Sequence, residues 1–228
     1  MKRFSPALIL LLFSFHPLLA SSGAVAKPVP VFKAVDNAVI DGILDAGVKT
    51  APLIIGAPNK DGLPYGKIYL AYDAGDIYIY ADIKDAAPGL NKYKGEDITN
   101  GDSLEFTIST DPGANDSRES TGAYDFHFAI KASEDTETWS FTKKAPLLNP
   151  ILFYKKKVSG YIIEALIPWY NFNTGCFCRI KNKAISFDAA INGFNAGGTF
   201  TQSRYCGDKN FGADPSQWGH VIFSTRLR

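Results

Sequence analysis

Tyr124-Asp125-Phe126-His127-Phe128-Ala129-Ile130 puts an aromatic or aliphatic side chain at every second position. That period sets Tyr124, Phe126, Phe128 and Ile130 on one face of a strand and leaves Asp125 and His127 on the other. The alternation recurs on both sides of this segment. Leu104, Phe106 and Ile108 share a face, with Glu105 opposite. Ile68, Leu70 and Tyr72 precede the turn residues Ala74-Gly75-Asp76, and Ile77, Ile79, Ala81 and Ile83 follow them, which predicts a hairpin. Tyr161, Ile163, Ala165 and Ile167 come next, then Ile185, Phe187, Ala189 and Ile191, and a closing strand over 220–224. One apolar stripe per strand is the mark of half-buried antiparallel strands. Two such sheets stacked face to face bury every stripe. The expected fold is all-β, an antiparallel two-sheet β-sandwich of immunoglobulin-like or jelly-roll-like kind, with a single short helix over 43–50.

The N-terminus reads as an export signal. Lys2 and Arg3 precede an apolar run from Ala7 to Phe15, and Ala24-Val25-Ala26 offers the small-x-small pattern of a cleavage site, with Ala20 a second one. Residues 1–26 are therefore expected to be a signal peptide, and 27–228 one domain, secreted or periplasmic. The run is too short for a spanning helix, which needs about 20 apolar residues, so no membrane anchor is expected. Removing the signal leaves 22 basic and 23 acidic residues. A nearly neutral chain without a basic stripe is not built to bind nucleic acid. Export makes a disulfide plausible. Cys176 and Cys178 are too close in sequence to bridge each other without strain, so Cys206 is expected to pair with Cys178 or Cys176.

No nucleophile elbow, zinc-protease helix or phosphate-binding glycine loop is present. Two histidines remain after the signal, His127 and His220. Glu105 and Glu164 are the one carboxylate pair to weigh as a glycosidase dyad. Two long loops, 86–100 and 192–217, hold Gly, Asn, Asp and aromatic residues and are the expected seats of function.

Six segments in order resemble the successive motifs of the family 9 carbohydrate-binding modules: Val39-Ile40-Asp41-Gly42-Ile43-Leu44-Asp45; Leu70-Ala71-Tyr72-Asp73 with Asp76-Ile77-Tyr78; Asp102-Ser103-Leu104-Glu105-Phe106; Tyr161-Ile162-Ile163-Glu164-Ala165-Leu166-Ile167-Pro168-Trp169; Ile185-Ser186-Phe187-Asp188; and Asp214-Pro215-Ser216-Gln217-Trp218-Gly219. The resemblance implies a β-sandwich that binds poly- or oligosaccharide of xylan or cellulose type without catalysis, beside separate polysaccharide-degrading enzymes. It also implies a structural calcium, for which Asp85, Asp111 and Asp116 are oxygen donors of the right kind. The chain departs from the family where an aromatic clamp is expected: Ile98-Thr99-Asn100 stands at one half and Phe211 at the other, with Tyr93 a substitute for the first.

The carbohydrate site expected from these readings comprises Glu105 and His127 on polar strand faces, Phe211 as an aromatic platform, and Asn192, Arg204 and Asp208 in or beside the late loop. Trp218 and Trp139, the latter sharing a parity with Phe141, are expected in the core, and Trp169, after Pro168, is expected to pack at a strand end. Two other functions compete. One is a haem-binding electron-transfer domain of the DOMON-like kind, which has only His127 or His220 to offer the iron. The other is an envelope interaction domain without a ligand.

Overall fold

The computed structural model describes residues 29–33, 37–48, 51–57, 62–88, 91–173, 180–194, 197–207 and 211–224. Among these residues twelve strands follow in order: β1 (Val29–Lys33), β2 (Leu53–Ile55), β3 (Tyr65–Tyr72), β4 (Asp76–Lys84), β5 (Ser103–Ser109), β6 (Asp125–Lys131), β7 (Thr138–Ser140), β8 (Ile151–Lys157), β9 (Gly160–Pro168), β10 (Ala184–Phe194), β11 (Phe200–Arg204) and β12 (Gly219–Ser224). Short 3-10 turns span Gly95–Asn100, Trp169–Phe172 and Pro215–Gln217. The all-β expectation holds. The helix expected over 43–50 is not formed in its described part, 43–48, which is bends and turns. The side chain of Asp45 accepts from the Gly47 N–H at 2.7 Å and so holds a local turn in place of a helical one.

Neighbouring strands run β7-β6-β5-β10-β12-β1-β3-β4-β9-β8, with β11 added to β10 and β2 to β3. The pairings are antiparallel except at β1, which lies parallel to both β12 and β3. β1 is thus the seam where one antiparallel sheet passes into the other. The predicted hairpin is β3–β4, paired from Tyr65–Lys84 to Tyr72–Ile77. Its turn is fixed by Asp73, whose Oδ1 accepts from the N–H groups of Gly75 and Asp76 at 2.7 Å each.

The core lies between the sheets. Leu104, Phe106, Phe126, Phe128, Phe187 and Ile191 from one meet Ile68, Leu70, Ile79, Ile163 and Ala165 from the other. Each such side chain contributes roughly 1.5–3 kcal/mol on full burial. Tyr72 and Trp169 meet Phe223 edge-on at 5.4 and 5.5 Å, a favoured aromatic geometry. Trp218 is buried as expected, and Trp169 is buried where β9 ends.

A second apolar cluster covers the outer face of the β3–β4–β9 sheet. Tyr78, Tyr80 and Ile162 pack there beneath Ile40, Leu44 and Val48 of the segment before β2. Glu164 pins this cover. Its Oε2 accepts from the N–H groups of Asp41 and Gly42 at 2.9 and 2.6 Å, and its Oε1 from the Tyr78 hydroxyl at 2.5 Å. Burial, and then this bond, push the Tyr78 hydroxyl far above its ordinary pKa. Gly42 is required where it stands: its φ is +83°, and a Cβ would lie 2.3 Å from the Phe153 ring. Glu105 projects from the outer face of the other sheet, so the core separates the two carboxylates, and they are not a glycosidase pair.

Glu164 is fully buried, and its removal strands three donors. Glu164→Ala is expected to lower unfolding stability by about 3 kcal/mol or more, since each hydrogen bond to a charged group is worth roughly 1.5–3 kcal/mol. Urea titration checks this, and a midpoint within error of the parent's would refute the pinning role.

Candidate functional site

In an antiparallel ladder, directly paired residues project to the same face. Register alone therefore lays out the outer face of the β7–β6–β5–β10–β11 sheet. One row reads Arg204, Ala190, Glu105, Ala129, Trp139. On one side of it lie Gln202, Asn192, Ser103 and Lys131, and on the other Asp188, Thr107 and His127.

Glu105 is the centre. It is only 6 % exposed, and a carboxylate so placed needs donors. Its Oε1 accepts from Asn192 Nδ2 at 2.6 Å and Gln202 Nε2 at 2.9 Å, and its Oε2 lies 2.6 Å from His127 Nε2. His127 Nε2 is the donor in this contact in the tautomer that carries its proton there. The network extends outward. Gln202 Nε2 also donates to Asn192 Oδ1 at 2.8 Å, and Arg204 Nε donates to Gln202 Oε1 at 2.5 Å. Asn192 Nδ2 reaches Ser103 Oγ as well, at 3.0 Å. Three of roughly four acceptor positions on Glu105 are filled by the described residues. Arg204 Nη1 is buried and, among the described residues, has no hydrogen-bond partner.

Aromatic rings frame the cluster. The His127 ring stacks on Phe141 at 4.3 Å and 26° and meets Phe211 edge-on at 5.6 Å. The Arg204 guanidinium lies 5.7 Å from the Phe211 ring centroid, within cation–π range. Gly212 follows at φ +84°, and a Cβ there would stand 2.3 Å from His127 Nδ1. Only glycine lets the loop lie flat on the imidazole.

The structure brings together five of the six expected site residues: Glu105, His127, Asn192, Arg204 and Phe211. Asp208 lies outside the described residues. Gln202 and Phe141 belong to the site and were not expected. Trp139 is corrected: it shares its parity with Phe141 as read, but both project outward, because Trp139 pairs with Ala129 on the Glu105 face. The stretch 192–217 is corrected too, since β10 continues to Phe194 and β11 occupies 200–204. Asp125 shares the face of His127 but is structural. Burial pushes its carboxyl up, yet the Arg118 fork at 3.1 and 2.7 Å and the Gly122 N–H outweigh this and hold it below the usual range. Both histidines are engaged by carboxylates, His220 Nε2 with Asp116 at 3.1 Å, which does not favour haem ligation. Cys206 carries a free thiol, pushed up to about 11 by burial and by Asp188; its expected partners Cys176 and Cys178 lie outside the described residues.

A family model described as carbohydrate family 9 binding domain-like matches residues 40–226. The chain belongs to that family. Among solved structures, a family 9 carbohydrate-binding module from Caldicellulosiruptor kristjanssonii in complex with cellotriose is similar at 18 % identity and a TM-score of 0.66, over 87 % of this chain and 95 % of that one. A module from the same organism in complex with glucose is similar at 17 % identity and a TM-score of 0.61, over 87 % and 97 %. No curated protein matches. The family and these likenesses fix the fold as the carbohydrate-binding-module β-sandwich.

Asp188, 1 % exposed beside Thr107, accepts from the N–H groups of Ala189 and Cys206 at 2.8 and 2.9 Å. Burial raises its carboxyl from 3.8 to about 7. A raised pKa means the folded state holds a proton that the unfolded state has lost. The stability from Asp188 is therefore full below about pH 4 and is lost as pH rises through about 7. Asp188→Asn, which keeps the acceptor oxygen, is expected to flatten stability over that range. Thermal melts at pH 4.5 and 7.5 decide it, and an unchanged slope in the variant would count against the assignment.

Proposed function

We propose that the outer face around Glu105 binds carbohydrate, and that the protein is a secreted or periplasmic, non-catalytic module acting beside separate polysaccharide-degrading enzymes on xylan- or cellulose-type material. The observation that carries the reading is a prearranged charged cluster: Glu105 held by Asn192, Gln202 and His127, and beside the Phe211 ring an Arg204 Nη1 donor without a hydrogen-bond partner among the described residues. A sugar presents hydroxyls that both donate and accept on its rim and C–H groups on its ring face, so it suits such charged groups beside an aromatic ring. Cellotriose and glucose, held by the similar modules, are the first ligands to test.

The reading also assigns a structural calcium to Asp85 and Asp102. Asp85 is 4 % exposed, and its Oδ2 has no hydrogen-bond partner among the described residues. A Cβ placed on Gly193 would lie 2.7 Å from that oxygen and 3.5 Å from Asp102 Oδ1, so the two carboxylates approach the same point. Oxygen donors of this charge suit calcium. Asp111 and Asp116, also expected to serve, are engaged elsewhere, Asp111 with the Gly113 N–H and Asp116 with His220.

Two outcomes follow. Glu105→Ala is expected to weaken cellotriose binding by tenfold or more, the equivalent of losing a hydrogen bond to a charged group at about 1.5–3 kcal/mol. Calorimetry on the variant, with its fold checked by circular dichroism, reads this directly; binding equal to the parent's would place the site elsewhere. Chelation with EDTA is expected to lower the melting temperature and added calcium to restore it, with Asp85→Asn insensitive to both. A parent melting temperature indifferent to EDTA would remove the calcium.

A further inference from the structure

We propose that Trp139 forms a second sugar subsite, which takes the units of an oligosaccharide beyond the one held at Glu105. The inference rests on the carbohydrate reading above and extends it to the length of chain recognised. Trp139 pairs with Ala129, and Ala129 with Glu105, so indole and carboxylate stand on one face two strands apart. Two strand spacings are roughly 9–10 Å, the scale of a disaccharide and too far for one ring to bridge. The residue between them is alanine, whose methyl raises no wall. A chain anchored at Glu105 and running across the strands therefore meets Trp139 next.

The surroundings of Trp139 have the makeup of a sugar site. Its indole is half-buried on the short edge strand β7, with the six-membered ring against Gly95. It walls a cleft of about 400 Å³ together with Pro146, Leu147, Pro150 and Leu152, and with one carboxylate, Glu137. Glu137 Oε1 is fixed by the Gly95 N–H at 3.0 Å, so Oε2 is oriented before any ligand arrives. A flat indole, a mostly apolar wall with two prolines, and one placed acceptor suit a pyranose ring. Trp139 is shared by this cleft and the Glu105 row, which points to the same oligosaccharide as the occupant.

Calorimetry with glucose and with cellotriose, on the parent, Trp139→Ala, Trp139→Phe and Glu105→Ala proteins, tests the proposal. The parent is expected to bind cellotriose at least fivefold more tightly than glucose. Trp139→Ala brings cellotriose to within twofold of glucose and leaves glucose affinity unchanged, while Trp139→Phe, which keeps an aromatic face, retains most of the preference. Glu105→Ala weakens both sugars. If Trp139→Ala weakens both sugars alike, or neither, the subsite is overturned while the Glu105 site stands. A parent that binds neither sugar overturns both. Should Trp139→Ala fail to fold, indole emission decides: the parent responds to cellotriose far more than to glucose and Trp139→Phe loses the response, whereas equal or absent responses in the parent overturn the subsite.

Discussion

Glu105 keeps its place on a crowded sheet face because donors from three neighbouring strands converge on it: Asn192 from β10, Gln202 from β11 and His127 from β6. Remove the register of any one strand and the carboxylate is left desolvated without compensation, which costs more than the bond itself contributes. The constraint also runs the other way. Once Glu105 is satisfied, Asn192 and Gln202 have their amide groups turned inward, Arg204 is steered by Gln202 toward the Phe211 ring, and His127 is held between Phe141 and Gly212. The site is rigid because its polar groups occupy one another.

The two outer faces of the sandwich show what a single carboxylate becomes under different cover. Glu164 and Glu105 occupy like positions, each on the face of its strand turned away from the core. Over Glu164 the chain folds back as the segment around Gly42, and two backbone N–H groups with the Tyr78 hydroxyl close it off as a structural clasp. Over Glu105 the partners are side chains, and among the described residues the Arg204 Nη1 donor beside them has no hydrogen-bond partner. Backbone donors come with a covering segment; side-chain donors can satisfy a charge and still leave a surface. That difference separates the structural face from the face proposed to bind carbohydrate.

Much of this was legible in the alternation of the sequence. Strands β3, β4, β5, β6, β9 and β10 carry strong apolar stripes, so Glu105 and His127 could be placed opposite the core from parity alone. Gln202 and Phe141 could not. β11 is polar on both sides, with Thr201, Gln202, Ser203 and Arg204 in succession, and gives no stripe to read; β7 has three residues. Trp139 exposes a second limit. Parity sorts residues into two faces but does not say which is inward, and on a short edge strand an aromatic can lie on either. The clasp at Glu164 was hidden for a third reason, since it joins residues more than a hundred positions apart through backbone groups that every residue possesses.

The most direct test of the account is a nitrogen-15 NMR titration of the protein with cellotriose, following the side-chain amides of Asn192 and Gln202 and the Nε–H of Arg204. Sugar that docks on the Glu105 cluster must shift these three signals together, saturably and with one affinity, while signals around Tyr80 and Ile162 on the opposite face stay still. Saturable shifts at Tyr80 and Ile162 with the Asn192, Gln202 and Arg204 side chains unmoved would contradict it.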